Sequence, residues 1–418
     1  MLVFKFGGAS VKDANGLVNL ANLVKKFCAE QLLVVVSAMG KTTNALEKLT
    51  KAYIDGADNV QVIFEDIKKY HFTILEQLFE PSDPIFDEVA NTFVEIDWII
   101  EDDPHDDYDF MYDQIVSIGE LVSTRIVNAY LNKAGIKSSW LDARGYIRTD
   151  NTYREGNVQW DKTGAAISRD IPALLQKGLV VTQGFIGGTS ENFTTTLGRE
   201  GSDYTASIFA ACLGAESVTT WKDVPGILNA DPKFFKDTIK FDELSSAEAI
   251  EMTYYGAGVI HPKTIKPLQN TNIPLFVKPF TDPDAAGTVI KDGVINQFLK
   301  PVIILKQNQV LLSISAKDYS FISENHLSEI FGLFAQNQVK VNMMQTSALS
   351  FTVCFDFYEE RFKKLLQALN PNFKVRYNDN LALITVRHYT PACLNDVTAG
   401  KTILLEQLSR NTAQLVVK

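Results

Sequence analysis

Cysteine is scarce in this chain. Its 418 residues hold four, Cys28, Cys212, Cys354 and Cys393, far apart and without a C-x-x-C pair. That excludes a disulfide scaffold and predicts reduced, mostly buried thiols of a cytoplasmic protein. Histidine is nearly as rare, with five residues and no ligand spacing, which leaves no basis for a structural zinc site. No apolar run reaches the roughly 18 residues of a membrane span. The N-terminus lacks a basic segment followed by an apolar core and a cleavage site, so no signal peptide is expected. Positive charge is in deficit, with 40 Lys and Arg against 50 Asp and Glu and a net charge of −10. No nucleic-acid partner is expected, because such proteins usually present a basic surface. A local cluster can still hold an anion, so phosphate ligands stay open.

What is abundant is apolar. Hydrophobic residues make up 46% of the chain, enough for a sizeable core, and the length suits two or three domains of roughly 100–200 residues. Short apolar runs recur, each closed by small or polar residues: "LVFKF" before Gly7, "LLVVV" before Ser37, "SSWL" before Asp142, "LVVTQ" before Gly184 and "SVTTW" before Lys222. Continuous rather than alternating runs predict strands buried on both faces. The segments between them have helical periodicity. In "QIVSIGELVSTRIVNAYLNKAG", Ile115, Ile118, Val122, Ile126 and Ala129 fall near one face and Gly135 suits a C-cap. Strands alternating with helices predict an α/β fold with a mostly parallel sheet flanked by helices. Residues from about 53 to 113 interrupt this order. They read as a helical, then acidic insertion ending in "EDDPHDDYDF", a solvated loop in preference to a metal site.

Around residue 282 the texture changes. "TDPDAAGT" and "KDGVINQ" are turn-rich and place a boundary near 296. Beyond it the pattern is strand ("QVLLSISAK"), helix ("HLSEIFGLFAQNQ"), strand ("KVNMMQTS"), strand ("SFTVCFDF") and helix ("EERFKKLLQALN"). A further strand, "LALITVRHY", and a hairpin-like "ILLEQLSRNTAQLVVK" close the chain.

In an open parallel sheet, ligands bind at the carboxyl ends of the strands. Here those ends collect Lys5-Phe6-Gly7-Gly8, Ser37-Ala38-Met39-Gly40, Gln183-Gly184 leading to Gly187-Gly188, and Lys222-Asp223-Val224-Pro225-Gly226. Glycines let a backbone approach a ligand and turn N–H groups toward anions. A lysine there supplies charge to a phosphoryl group in transfer. Taken alone, Lys5 reads equally well as a solvated strand-end lysine; four such ends together favour a phosphate site. "MGKTT" at 39–43 is no P-loop, because Val35 stands where that pattern needs glycine. "GAGVIH" at 256–261 lacks the third glycine of a dinucleotide fingerprint.

In "TTTLGREGSDYTASIFAACLGA", Ser202 or Asp203 is expected to cap a helix running to about Leu213, with Gly214 at its end. A helix N-terminus with Arg199 just before it suits a carboxylate or phosphate. Glu120 sits within a helix with no basic partner at i±3 or i±4. Two readings of it stay open: a solvent-facing glutamate, or a carboxylate held for a substrate ammonium group.

"KFGGAS", "SAMGKTTNAL", "SIGELVSTR", "LGREGSDYTAS", "KDVPGILNADPK" and "GAGVIHPKT" occur in the order found in the aspartate kinases of the amino acid kinase family, which the chain resembles over nearly its whole length. The tail is similar to that family's regulatory ACT modules. The resemblance implies a monofunctional enzyme with an amino acid kinase domain over 1–296, an ACT-like module over 297–370 and a reduced second one over 371–418. The second module is read as reduced because only 13 residues (390–402) separate "LALITVRHY" from "ILLEQ", little room for the usual helix.

The reaction implied moves the γ-phosphoryl of ATP, with Mg2+, to the β-carboxylate of L-aspartate. The product is 4-phospho-L-aspartate, and the step opens the pathway to lysine (through diaminopimelate), threonine and methionine. Carried over by resemblance, Lys5 stabilises the transferring phosphoryl, Gly7, Gly8 and Ser10 complete its loop, and Asp203 organises the centre and orients the lysine. Ser37, Thr43, Glu120 and Arg199 match positions that hold the amino acid, Arg199 through its α-carboxylate and Glu120 through its ammonium. Lys222, Asp223, Leu228, Lys233 and Gly258 match the nucleotide side. Asn342, Met343, Thr346 and Ser347 match a loop that binds lysine-type effectors in some relatives, which implies a lysine or threonine effector and a homodimer or higher homo-oligomer through the ACT-like modules. The chain departs from the family at several positions. Lys222 replaces threonine, Leu228 tyrosine, Lys233 arginine, Gly258 lysine, Ala9 threonine and Glu200 glycine. Other kinases of the family, acting on glutamate, acetylglutamate or a nucleoside monophosphate, and an amino-acid sensor with a decayed kinase site, are the competing readings.

Overall fold

The computed structural model describes residues 1–27, 29–104, 107–258, 260–294, 300–318 and 320–418. Cys28, part of the acidic run and the boundary expected near 296 lie outside the described residues. The chain divides into two compact units, Met1–Ile227 with Lys240–Ile250 and Val259–Ile295, and Leu228–Ile239 with Glu251–Gly258 and Asn296–Lys418.

The first unit begins with β1 (Leu2–Phe6), α1 (Ala14–Lys25), β2 (Leu32–Val36) and α2 (Thr42–Ile54). The insertion follows as α3 (Val60–Leu78) and α4 (Ile85–Glu101), leading into α5 (Tyr108–Lys133). Then come β3 (Ser138–Leu141), α6 (Trp160–Leu175), β4 (Leu179–Gln183), the short β5 (Ile186–Gly188) and β6 (Thr194–Thr196), α7 (Gly201–Leu213) and β7 (Ser217–Lys222). The unit also holds β8 (Glu243–Leu244), the start of α8 (Ser246–Tyr254), α9 (Pro262–Asn270), β9 (Leu275–Pro279) and β10 (Thr288–Ile290).

Eight strands form one sheet in the order β3-β4-β2-β1-β7-β9-β10-β8. Every pairing is parallel except β9 with β10. The uninterrupted apolar runs explain the centre: all five residues of β2 and all five of β4 are buried. Each buried Val or Leu contributes about 1.5–3 kcal/mol. For α5 the expected single apolar face is too narrow. Its middle, Ile115–Thr124, is buried all round, because α2, α4 and the sheet pack against it. It ends beyond Lys133 with Gly135 at φ +79°.

The start of α7 also differs from expectation. Ser202 and Asp203 lie inside its first turn, and the capping position is Glu200 in a left-handed conformation, φ +54°. Gly214, φ +60°, closes the helix as expected.

In the second unit, β11 (Val302–Ala316), α10 (Glu324–Gln336), β12 (Val341–Thr346), β13 (Phe351–Asp356), α11 (Glu359–Leu369) and β14 (Phe373–Arg387) follow the order read from the sequence. The 13-residue segment nevertheless holds a short helix, α12 (Pro391–Thr398), started by Pro391 and capped by Thr390. The chain closes with the antiparallel pair β15 (Ile403–Leu408) and β16 (Thr412–Val417). The six strands form one antiparallel sheet, β12-β13-β11-β14-β16-β15. The 15-residue strands β11 and β14 pair along nearly their whole length and run through both halves of it, so the halves share one backbone framework. The register shifts around Gln309, where Asn308 and Asn380 take left-handed backbones. Apolar residues of β11 and β13 pack with Ile330 and Phe334 of α10 and Phe362, Leu365 and Leu369 of α11.

Candidate active site

Strands β4, β2, β1 and β7 are consecutive and parallel, so the residues after them leave the sheet along one edge. This edge gathers the loops picked out in the sequence. Ser37 N–H donates to Phe6 O (3.1 Å) and Gly40 N–H to Gly8 O (3.0 Å), which locks the first two loops together. The contact leaves no room for a side chain at Gly8. A Cβ there would lie 2.6 Å from Ala38 O and 2.8 Å from Gly40 O. Ser10 is buried, its hydroxyl 3.5 Å from Trp221 O.

Lys5 heads this edge. It is 8% exposed, and its Nζ lies 2.7 Å from Asp203 Oδ1. Asp203 is 2% exposed and stands in the first turn of α7, where the helix dipole also favours an anion. Gly184 places it: a Cβ at Gly184 would overlap Ser202, so β4's end closes directly on the α7 start. Thr205 Oγ1 accepts from Phe185 N–H (3.0 Å) and donates to Gly201 O (3.0 Å), tying the same turn down. Lys222, at the end of β7, reaches the other Asp203 oxygen at 3.3 Å. Burial alone would raise the Asp203 carboxyl's pKa, but the Lys222 and Lys5 ammoniums outweigh it and hold it below the ordinary range. Burial pulls Lys222 down, and Asp203 with Glu200 more than restores it, so its pKa is raised.

Glu120 is not solvent-facing. It is 2% exposed. Its neighbour Gly119 lets α5 press against Leu46, Thr42 and Ala38, which brings the Glu120 carboxylate to the backbone of Ala38 and within reach of the Lys5 charge. Its Oε2 is sealed from solvent and has no hydrogen-bond partner among the described residues. Burial pushes its pKa up to about 8, against the Ala38 hydrogen bond and Lys5. A buried carboxylate with a spare oxygen is suited to a cationic ligand group.

Of the remaining predicted residues, Ser37 is partly buried and its carbonyl accepts from Ser123 Oγ (2.7 Å). Thr43 is half-buried in the first turn of α2. Arg199 and Asp223 are exposed next to Glu200 and Lys222. Leu228, Lys233 and Gly258 belong to the second unit, as do the four effector-loop residues. There Asn342 is engaged by Lys306 Nζ (2.8 Å) and Gln309 Oε1 (2.8 Å), Met343 is buried, and Thr346 and Ser347 are exposed.

Two features escape the sequence reading. His71 of α3 is buried, 3.3 Å from Thr42 Oγ1, and burial takes its pKa down to about 4 despite a hydrogen bond to Ile67 O. Tyr70 beside it bonds Lys12 O. The insertion therefore braces the glycine loops, and helical periodicity carries no signal for that. The second feature is the left-handed backbone of Glu200 with its sealed Oε2, which no cap rule anticipates and which the sequence marked only by a glutamate where the family has glycine.

A model of the amino acid kinase family matches residues 1–279. The chain is 33% identical over 393 residues to the lysine-sensitive aspartokinase 3 of Escherichia coli strain K12, covering 92% of this chain and 86% of that protein. It is 33% identical over 391 residues to the chloroplastic aspartokinase 2 of Arabidopsis thaliana, covering 88% and 68%. Its fold matches the crystal structure of E. coli aspartokinase III in complex with aspartate and ADP (R-state), with a TM-score of 0.86 and 30% identity over 100% of this chain and 96% of that one. The complex of E. coli aspartokinase III with lysine and aspartate (T-state) gives 0.83 and 31% over the same shares.

Proposed function

Because the chain belongs to the amino acid kinase family, and within it to the aspartokinases, we propose a mechanism in which its sheet edge transfers the γ-phosphoryl of ATP to the β-carboxylate of L-aspartate. The observation that carries this is the buried Lys5–Asp203 pair, 2.7 Å apart, beside two interlocked glycine loops. Asp203 fixes the lysine, and the lysine meets the charge that develops on the phosphoryl group. The Gly7, Gly8 and Ser10 loop lines the same approach. The β-carboxylate is already a competent nucleophile, so no general base is required. The acceleration rests on positioning and charge stabilisation.

On the amino-acid side, Glu120 takes the ammonium and Arg199 the α-carboxylate, with Ser37 and Thr43 completing the contacts. Glu120 must then ionise, which its sealed position resists until the substrate's positive charge arrives. On the nucleotide side, Lys222 and Asp223 serve the phosphate end, and Leu228, Lys233 and Gly258 match the remaining nucleotide positions of the family. Lys222 stands in for the lysine missing at Gly258. Its replacement, Lys222→Ala, should raise the KM for ATP several-fold; an unchanged KM would contradict this role.

No group of three or more His, Cys, Asp or Glu gathers for a metal among the described residues. Mg2+ would be held mainly by the phosphates of the nucleotide and by water, with nearby carboxylates as outer partners. When bound, it neutralises phosphate charge.

We read 1–296 as the catalytic domain, and 297–370 with 371–418 as ACT-like modules. Both outer strands of the second unit's sheet expose apolar residues, Met344 on β12 and Ile403, Leu404 and Leu408 on β15. Unprotected edges of this kind support self-association, hence a homodimer or larger homo-oligomer. A lysine or threonine effector on the Asn342–Ser347 loop is the regulatory reading. No helix among the described residues is long and apolar enough to cross a membrane.

Hydroxylamine trapping of the acyl phosphate tests the substrate. ATP with L-aspartate should give a hydroxamate, and glutamate, acetylglutamate and nucleoside monophosphates should not. The absence of aspartate-dependent hydroxamate would retire the proposal.

A further inference from the structure

Two lysines share one buried carboxylate at the sheet edge: Lys5 at 2.7 Å from Asp203 Oδ1 and Lys222 at 3.3 Å from Oδ2. One negative charge cannot neutralise both ammoniums. A second carboxylate, Glu200, stands three residues before Asp203, at the cap of the same helix. Its backbone is left-handed, φ +54°, a conformation that favours glycine. Its Oε2 is sealed from solvent without a hydrogen-bond partner among the described residues. A strained backbone and an unsatisfied buried oxygen at one residue are each unfavourable, and here they coincide beside the reacting centre. Burial raises the Glu200 pKa, and the charges that act on it are, in order, Lys222, Asp203, Lys5 and Arg199.

We infer that Glu200 is a positioning residue: its carboxylate takes up the charge of Lys222, so that Asp203 remains the partner of Lys5. The cluster of Lys5, Lys222, Asp203 and Glu200 is then neutral overall. The unequal distances agree with this, since Lys5 holds Asp203 more closely than Lys222 does. Without Glu200, Lys222 would compete for Asp203 and draw it off the lysine that serves the phosphoryl group.

The inference rests on the kinase reading, and the experiment separates the two. Glu200→Gln, Glu200→Gly and Glu200→Asp are assayed by hydroxamate formation in the natural chain, and Glu200→Gln also in a Lys222→Met background. Glu200→Gln and Glu200→Gly should each lower kcat about tenfold, with the KM for aspartate nearly unchanged and Glu200→Asp recovering part of the loss. Glu200→Gly should melt at or above the temperature of the natural chain, because glycine relieves the left-handed strain. This splits positioning from stability and keeps the test informative if Glu200→Gln folds poorly. In the Lys222→Met background, Glu200→Gln should change kcat less than about twofold. The inference is overturned if kcat is unaffected by both Glu200→Gln and Glu200→Gly, or if the loss is equal in both backgrounds. A natural chain without aspartate-dependent hydroxamate would overturn the kinase reading itself.

Discussion

Glu120 gives the site a pH dependence at the scale of single residues. An ordinary glutamate titrates near 4.5, and burial takes this one to about 8. A group whose pKa is raised by folding binds its proton more tightly in the folded chain. Its contribution to stability is therefore complete below about pH 4.5 and lost as the pH rises through about 8. Glu120→Gln should flatten that slope and leave the protein more stable than the natural chain at pH 8, measured by urea denaturation at pH 5 and 8. The same change should cost aspartate binding. In the natural chain the KM for aspartate should fall between pH 6 and 8, as the carboxylate becomes easier to ionise; in Glu120→Gln it should be high and nearly independent of pH. A stable protein whose aspartate KM is unchanged would remove Glu120 from the site. Helical spacing left this residue open between solvent and substrate, and only the family resemblance assigned it to the substrate, because spacing says which residues neighbour it on its own helix. It does not say that Gly119 lets α5 sink against Ala38 and Thr42.

Among the elements, the two glycines after β1 differ in what they tolerate. A Cβ at Gly7 would meet Lys5 Nζ at 3.6 Å, an ordinary contact, whereas at Gly8 it would strike the Ala38 and Gly40 carbonyls. Gly8→Ala must therefore push the β1 and β2 loops apart, at about 1–3 kcal/mol, while Gly7→Ala should fold nearly normally. Denaturation midpoints of the two variants check this, and equal losses would contradict the loop-on-loop contact. The strands themselves were readable, since "LLVVV" is apolar throughout, "LVFKF" and "LVVTQ" are apolar but for Lys5, Thr182 and Gln183, and none alternates; they form the buried parallel centre. Boundaries at special backbones were less so. Ser202 and Asp203 have the residue types of a cap, yet the capping position of α7 is the left-handed Glu200, two residues before Ser202 and three before Asp203. The 13-residue link that looked too short for a helix holds one of eight residues, because Pro391 and Thr390 start it without a lead-in.

At the scale of the whole molecule, the chain divides into two units whose residues interleave along the sequence. The first holds the Lys5–Asp203 centre and Glu120; the second holds the Leu228 and Lys233 segment and the antiparallel sheet. Asn229 O accepts from Ile303 N–H (2.7 Å), and Asn229 Nδ2 donates to Pro301 O (3.0 Å). The sequence order gave no hint that 228–239 would join the later strands, since such contacts span about 70 residues and leave no local period. The exposed edges β12 and β15 lead to a further expectation: sedimentation at micromolar concentration should show a homodimer or larger, and Met344→Asp or Leu408→Asp should shift it toward monomer. A monomeric natural chain would contradict the self-association reading.

In the proposed mechanism Lys5, held by Asp203, meets the phosphoryl group on its way to aspartate. The most direct measurement of this is kcat for hydroxamate formation by Lys5→Met, with folding checked by circular dichroism and ATP and aspartate at saturation. The expected result is a folded protein whose kcat is lower by about 10²–10³-fold, with the KM for aspartate little changed. A folded Lys5→Met protein that makes hydroxamate at the natural rate would contradict it.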